Sequence, residues 1–226
     1  FVMQLGEIAP WGRTLMEYRL MFDLSDENRV KRILGCGDGP ASFNAEMTAL
    51  GYSVVSVDPI YQFSEVQIRQ RIEANYNTII TQLKQNSERY IWKNFRDADE
   101  LGQKRLAAME QFLLDYSKGK SDGRYRFQSL PHLDLDDGEF ELGLCSHLLF
   151  LYTEHLSLDF HIASVLELLR VCQEVRIFPL VQLNGTASPY LEPVVEHLTH
   201  QGFDVRVQSV NYEFQRGGNQ MLLIKS

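Results

Sequence analysis

The residues best placed to do chemistry are Gly35-Cys36-Gly37-Asp38-Gly39, followed by Pro40, and an aspartate 23 positions after the first glycine, Asp58. The glycines lie between a short apolar run, Val30 to Leu34, and a helix-like stretch carrying Phe43, Ala45, Met47 and Leu50. Lacking a Cβ, glycine lets the backbone approach a ligand closely and take positive φ at a turn. The helix behind the turn offers free N–H groups and a positive dipole end to an anionic group. Asp58 ends the next apolar run, Val54-Val55-Ser56-Val57. In a doubly wound sheet, neighbouring strand tips flank one crevice, where a carboxylate can accept both hydroxyls of a ribose. The plainer alternatives are a bare glycine turn and an aspartate capping the turn before Pro59.

The hydrophobic pattern supplies elements to position those two tips. Residues 1–28 are irregular and then helix-like, with Leu15, Tyr18, Leu20 and Met21 at helical spacing, and Asp26 to Asn28 reads as a loop after Ser25. Residues 62 to about 118 read as helical, broken near Asn86-Ser87 and between Arg96 and Asp99. Strands are expected at Tyr125 to Leu130, Phe140 to Ser146 and Glu174 to Val181, with a helix from Leu158 to Val171 and another ending at Gly202. The last two runs, Asp204 to Phe214 and Gln220 to Ile224, flank Arg216-Gly217-Gly218-Asn219 as a hairpin. Strand–helix alternation demands a mainly parallel sheet covered on both faces, and the hairpin forces one strand to run backwards. The expectation is a single α/β domain over residues 1–226, with a cap segment at 1–28 and a helical insert at 62–120.

A dinucleotide site expects G-x-G-x-x-G, whereas here the spacing is G-x-G-x-G with Pro40 in place of the third glycine. With the reversed final strand, this pattern resembles the class I S-adenosylmethionine-dependent methyltransferases over roughly residues 30–226. The run from Ser129-Leu130-Pro131 through Phe140-Glu141-Leu142 is similar to that family's lead into strand four. The resemblance implies a Rossmann-like, doubly wound, seven-stranded sheet of order 3-2-1-4-5-7-6 with strand 7 antiparallel. It also implies S-adenosylmethionine as cofactor and S-adenosylhomocysteine as product. By this likeness Gly35, Cys36, Gly37 and Asp38 line the methionine moiety, Gly39 completes the loop, and Asp58 holds the ribose. Pro59 and Ile60 lie against adenine, Ser129 and Leu130 edge it, and Cys145-Ser146-His147 close the site after strand four. The chain departs from the family at Ile33, where an acid is usual two places before the first glycine, and at Gln128-Ser129, the end of strand three. Asp38 is the acid available to replace the first.

Methyl transfer is an in-line displacement in which positioning supplies much of the rate, and a base helps only when the acceptor must lose a proton. His147 is the base candidate, because imidazole titrates near neutral pH; the alternative is a histidine satisfied by backbone at a strand end. Tyr152 is read as a packing residue or a substrate hydrogen bond, and His155 and His161 as structural or solvent-facing. Arg13 and Tyr18 precede strand one, a region that in this family can fold over the cofactor, and a guanidinium suits the methionine carboxylate. The insert carries Tyr76, Tyr90, Trp92, Phe95, Phe112 and Tyr116, with ten Lys/Arg against eight Asp/Glu. It reads as helix packing, as a cap shaping the acceptor pocket, or as a homodimer surface.

The formal charge of −8 argues against a surface built for nucleic acid. The sequence has no apolar run long enough to span a membrane. Cys36, Cys145 and Cys172 are widely spaced, without metal-type pairing, and suggest reduced thiols in a cytoplasm. The expected partner is a small-molecule acceptor. Two other functions compete: a non-catalytic cofactor-binding module, motivated by Ile33, and a nicotinamide-dependent oxidoreductase, opposed by the missing third glycine.

Overall fold

The structure, a computed structural model, describes residues 10–226, so residues 1–9 of the expected cap segment lie outside the described residues. Seven strands form one sheet of order β3-β2-β1-β4-β5-β7-β6. They are β1 Ile33–Cys36, β2 Val54–Val57, β3 Tyr125–Arg126, β4 Phe140–Ser146, β5 Cys172–Phe178, β6 Asp204–Ser209 and β7 Gln220–Lys225. The first five pair in parallel, while β7 runs antiparallel to both β5 and β6. This is the order and reversal expected from the sequence, and it is the class I methyltransferase fold.

The helices are α1 Leu15–Met21, α2 Asp26–Arg29, α3 Phe43–Ala49, α4 Glu65–Gln85, α5 Ala98–Ser121, α6 Leu158–Val171 and α7 Leu191–His200. Side-chain alternation along the strands divides the core between two faces. Leu34, Cys36, Cys145, Val175, Ile177, Leu222 and Ile224 pack with residues of α6 and α7, such as Val165, Leu168, Val194 and Leu198. Ile33, Leu142, Leu144, Met221 and Leu223 pack on the other face with Tyr18, Met21 and Phe22 of the α1 segment and Phe43 and Met47 of α3.

β5 spans Cys172–Phe178 in place of Glu174 to Val181, β6 ends at Ser209 in place of Phe214, and three further local expectations change for physical reasons. Asp26–Arg29 is a helical turn and not a loop, because Ser25 and Asn28 form a reciprocal capping box. Val30 is 71% exposed at the end of that turn, so β1 starts at Ile33. β3 stops at Arg126 and not Leu130: the Gln128 side chain brackets the backbone of Asp134 instead, at 3.3 and 3.0 Å, curling the segment into its own loop.

The insert is a pair of long helices, α4 and α5, packed closely where Gly102 faces Tyr76 and Ile80: a Cβ there would lie 2.4 Å from the Tyr76 hydroxyl. Its root packs against β3 through Tyr61, Phe112, Tyr116 and Tyr125. Its tip packs through Phe95 and Leu101 with Tyr90, Trp92 and Phe214. Every aromatic that the sequence offered for the insert lies in one of these clusters, which is the packing reading.

Candidate functional site

The glycine loop leaves β1 at its carboxyl end, beside the carboxyl ends of β2 and β4. Gly37 and Gly39 both take positive φ, +75° and +53°. The loop is tied to β2 twice. Gly37 N–H donates to Val57 O at 3.0 Å, and Gly39 N–H donates to Asp58 Oδ2 at 2.9 Å. The two strand tips singled out in the sequence therefore meet. Asp58 is half-buried, and its other oxygen accepts from Ile60 N–H at 2.8 Å, capping the 3-10 turn Pro59–Gln62. The capping role is thus real, yet each carboxylate oxygen retains a lone pair for a further donor. Among the described residues, a Cβ added to Gly39 would meet only Asp58 within 4 Å, so space opens above this residue there. Above Gly37 it narrows, because a Cβ there would contact Ser146 O at 3.4 Å and Leu148 at 3.5 Å.

Asp38 turns inward. Its carboxylate lies where a Gly35 side chain would be, 1.9 Å from an ideal Cβ, which explains why only glycine serves at that position. It accepts from Tyr18 Oη at 2.7 Å and Ser56 Oγ at 2.6 Å. Burial pushes its pKa up to about 6, against those two hydrogen bonds and with help from Asp58. Asp58 is likewise raised to about 6 by burial, against its two backbone N–H donors. Ile33 is fully buried in the core, so the place usual for the acid before the first glycine holds packing. Cys36 and Cys145 are register neighbours with buried side chains, leaving their backbone as what they can offer the crevice. Ile60 and Leu130 are buried, Pro59 is half-buried and Ser129 is exposed.

Ser146 ends β4 and His147 follows it. His147 adopts φ +54°, a left-handed conformation that costs a side-chain-bearing residue about 1–3 kcal/mol. Its N–H donates to Phe178 O at 2.8 Å, and its ring meets Phe178 edge-on at 5.6 Å. Nδ1 lies 2.7 Å from Ser146 Oγ, and among the described residues nothing hydrogen-bonds Nε2. Burial, with the charges of Arg13 and Arg105, pushes the imidazole pKa well below its ordinary value, so the ring is neutral at physiological pH. In one tautomer Nδ1–H donates to Ser146 Oγ. That arrangement leaves Nε2 free to take a proton. His161 is structural: Nε2 accepts from Phe150 N–H at 2.9 Å and Nδ1–H donates to Ser157 O at 2.8 Å. His155 is exposed and Tyr152 half-buried, its hydroxyl pKa raised by burial.

The strap leading into α1 lies over the loop. Gly12 is pressed between Pro40 O and Met109, where a Cβ would approach to 2.1 and 2.8 Å. Arg13 O accepts from Ser42 N–H at 3.0 Å, so the chain itself covers part of the α3 N-terminus expected to be free. Behind the strap, Glu17 accepts from Arg105 of α5 and, at 2.8 Å, from Tyr212 Oη. Glu17, Arg105 and Tyr212 were not foreseen; they lie 88 and 195 positions apart in pairs, and no local spacing joins them. Among the described residues no cluster of His, Cys, Asp and Glu is arranged to hold a metal ion. No helix there is long and apolar enough to cross a membrane.

No protein-family model matches the chain. Among solved structures it is similar to the methyltransferase domain of a bacterial Hen1, at 15% identity and TM-score 0.48, with 88% of this chain and 92% of that one covered. It is similar to magnesium protoporphyrin IX methyltransferase from Synechocystis PCC 6803, at 13% identity and TM-score 0.45, covering 88% and 72%. A putative S-adenosylmethionine-dependent methyltransferase from Methanococcus maripaludis matches at 8% identity and TM-score 0.47, covering 94% and 83%. The uncharacterized protein MJ0045 of Methanocaldococcus jannaschii is 31% identical over 224 residues, 99% of this chain and 98% of that protein. With that extent of shared sequence on a class I methyltransferase fold, the chain belongs to one family with MJ0045.

Proposed function

We propose that the chain is an S-adenosylmethionine-dependent methyltransferase acting on a small-molecule acceptor. One observation carries this reading: the glycine loop and Asp58 adjoin at neighbouring strand tips, joined by the Gly39 N–H to Asp58 bond, with space above Gly39. Asp58 keeps lone pairs for ribose hydroxyls, and the loop's backbone is bare enough to be approached closely. The cofactor, when bound, supplies an electrophilic methyl group on sulfur. The chain's own work is to hold the acceptor atom in line, exclude water and, where the acceptor carries a proton, receive it at His147 Nε2. A second reading, a binding module without catalysis, is favoured by Ile33 in the core and by Asp38 turned inward, which leave no acid obvious for the methionine amino group.

Calorimetry with S-adenosylmethionine and S-adenosylhomocysteine tests the shared claim. Wild-type protein should bind both saturably, and Asp58→Ala should weaken binding by about 1.5–3 kcal/mol through loss of charged hydrogen bonds. A folded Asp58→Ala variant with undiminished affinity would count against the site. Saturable binding of NAD without binding of the sulfonium would replace the reading with an oxidoreductase. Methyl transfer to candidate acceptors then separates an enzyme from a silent module.

A further inference from the structure

A line of polar side chains runs beneath the glycine loop and ends on the insert. Gly35 of β1 and Ser56 of β2 are register neighbours, and the Asp38 carboxylate fills the place of the side chain that Gly35 lacks. Asp38 therefore lies beside Ser56, whose hydroxyl reaches Oδ2 at 2.6 Å. Asn44 of α3 brings its Nδ2 to 3.0 Å from the same hydroxyl oxygen. Its Oδ1 accepts from Arg124 Nη1 at 2.8 Å, and Arg124 grips Asp115 of α5 through both terminal nitrogens at 2.7 Å. Asp38, Asn44 and Ser56 are at most 5% exposed, so water does not compete for these bonds.

The chemistry of these groups gives the line one direction. A guanidinium cannot accept, so Asn44 turns its oxygen to Arg124. Carbonyls cannot donate, so its Nδ2 faces Val54 O and Arg124 O, at 3.3 and 3.1 Å. Both ends fix the same orientation of the amide, and an N–H is what Ser56 Oγ receives. Ser56 then has its single proton left for Asp38, while Tyr18 donates to the other carboxylate oxygen at 2.7 Å. Away from water such a chain is stronger than its separate bonds. The backbone around Asp38 is permissive, since Gly37 and Gly39 flank it, both at positive φ. The side chain is accordingly the anchor of the loop. Asp38 immediately precedes Gly39, so fixing it also aims the Gly39 N–H at Asp58.

We propose that Ser56, directed by Asn44, is a positioning residue for the nucleoside site: its hydroxyl fixes Asp38 beneath Gly35, and through Asp38 the path of the loop that receives the cofactor. What the loop receives rests on the methyltransferase reading, but the anchoring of the loop does not. Through Arg124 and Asp115 the same line ties the loop to the root of the insert.

The test labels the aspartates of the full chain with carbon-13 at the carboxyl carbon, assigns the Asp38 signal with Asp38→Asn, and follows it against pH. Ser56→Ala should move the Asp38 midpoint up by about one pH unit, the worth of one hydrogen bond to a charged group. The titratable groups around Asp38 are Tyr18 from α1, Cys36 at the end of β1, Asp58 beyond β2 and Tyr61 of the 3-10 turn, and that variant alters none of them. Asn44→Leu leaves the hydroxyl but removes the N–H that directs it, and should move the midpoint the same way by less. At pH 8, calorimetry with S-adenosylhomocysteine should show Ser56→Ala weakening binding by about three- to tenfold, part of the worth of that bond. Added to Asp38→Asn, Ser56→Ala should weaken it no further, because Ser56 acts through that carboxylate. An unmoved Asp38 midpoint in both variants overturns the proposal, and movement in Ser56→Ala alone removes Asn44 from it. Unchanged nucleoside affinity in Ser56→Ala, or an equal loss with and without Asp38→Asn, reduces Ser56 to packing and also overturns it. If wild-type protein binds no nucleoside while the midpoint moves, the anchored loop stands and the methyltransferase reading falls.

Discussion

Asp38 and Asp58 differ in role, although burial raises both pKa values to about 6. Asp38 is spent on Tyr18 and Ser56, holding the loop shut from beneath; Asp58 faces the space above Gly39. The shift has a sign that can be measured. Hydroxyl donors favour the ionised form of Asp58, so a bound ribose lowers its pKa from about 6 and affinity must rise with pH until the free group is ionised. The association constant for S-adenosylhomocysteine should climb from pH 5 to pH 7 and then level off. Asp58→Asn should flatten that climb; an equally steep profile in the variant would transfer the titration to Asp38. Folding responds in the opposite sense. The folded state holds these protons more tightly than an unfolded chain with the ordinary value of 3.8, so the pair's contribution to stability is greatest below that value and is lost as pH rises through about 6.

At the scale of elements, Glu17 joins three that are remote in sequence: α1, α5 and the segment between β6 and β7. Burial acts to raise its pKa, but the Arg105 guanidinium overcomes this and keeps the carboxylate ionised. Glu17→Gln removes the charge that pairs with the buried Arg105, and should cost about 3–5 kcal/mol in urea denaturation. Tyr212→Phe removes a single hydrogen bond to a charged group and should cost about 1.5–3 kcal/mol. A loss below 1 kcal/mol for Glu17→Gln would mean the tie is already solvated. This tie also marks where sequence reading ends. β4 and α6 have the expected bounds because their apolar patterns are long and flanked by turn residues. Gly35 to Gly39 and Asp58 were legible because strand, loop and helix keep them in a fixed local spacing. Asp38's inward turn was not, since it depends on Tyr18 reaching across from α1. Nor was the end of β3, decided by one glutamine side chain, or any contact made by Arg105.

Beyond its root, the insert is held to the rest of the molecule by two ties among others. Arg105 fastens the middle of α5 to Glu17, and Phe214 fastens the tip. Phe214 stacks on Tyr90 at 4.8 Å and meets Trp92 and Phe95 edge-on, while its carbonyl accepts from Ile91 N–H at 2.6 Å and Arg216 N–H donates to Arg89 O at 2.9 Å. The segment from Asn86 to Asp97, between α4 and α5, has little regular structure of its own beyond a single 3-10 turn. Its order therefore depends on the aromatic contacts made by the loop between β6 and β7. Phe214→Ala deletes a half-buried ring, worth about 2 kcal/mol against the 3–5 of a fully buried one, and 1.4 kcal/mol is a factor of ten in an equilibrium. Hydrogen exchange of the amides at residues 86–97 should accelerate by about 30-fold, with the central strands β1, β4 and β5 unaffected, because local openings are separate from global unfolding. Equal acceleration in the tip and the strands would show that the insert opens only with the whole domain.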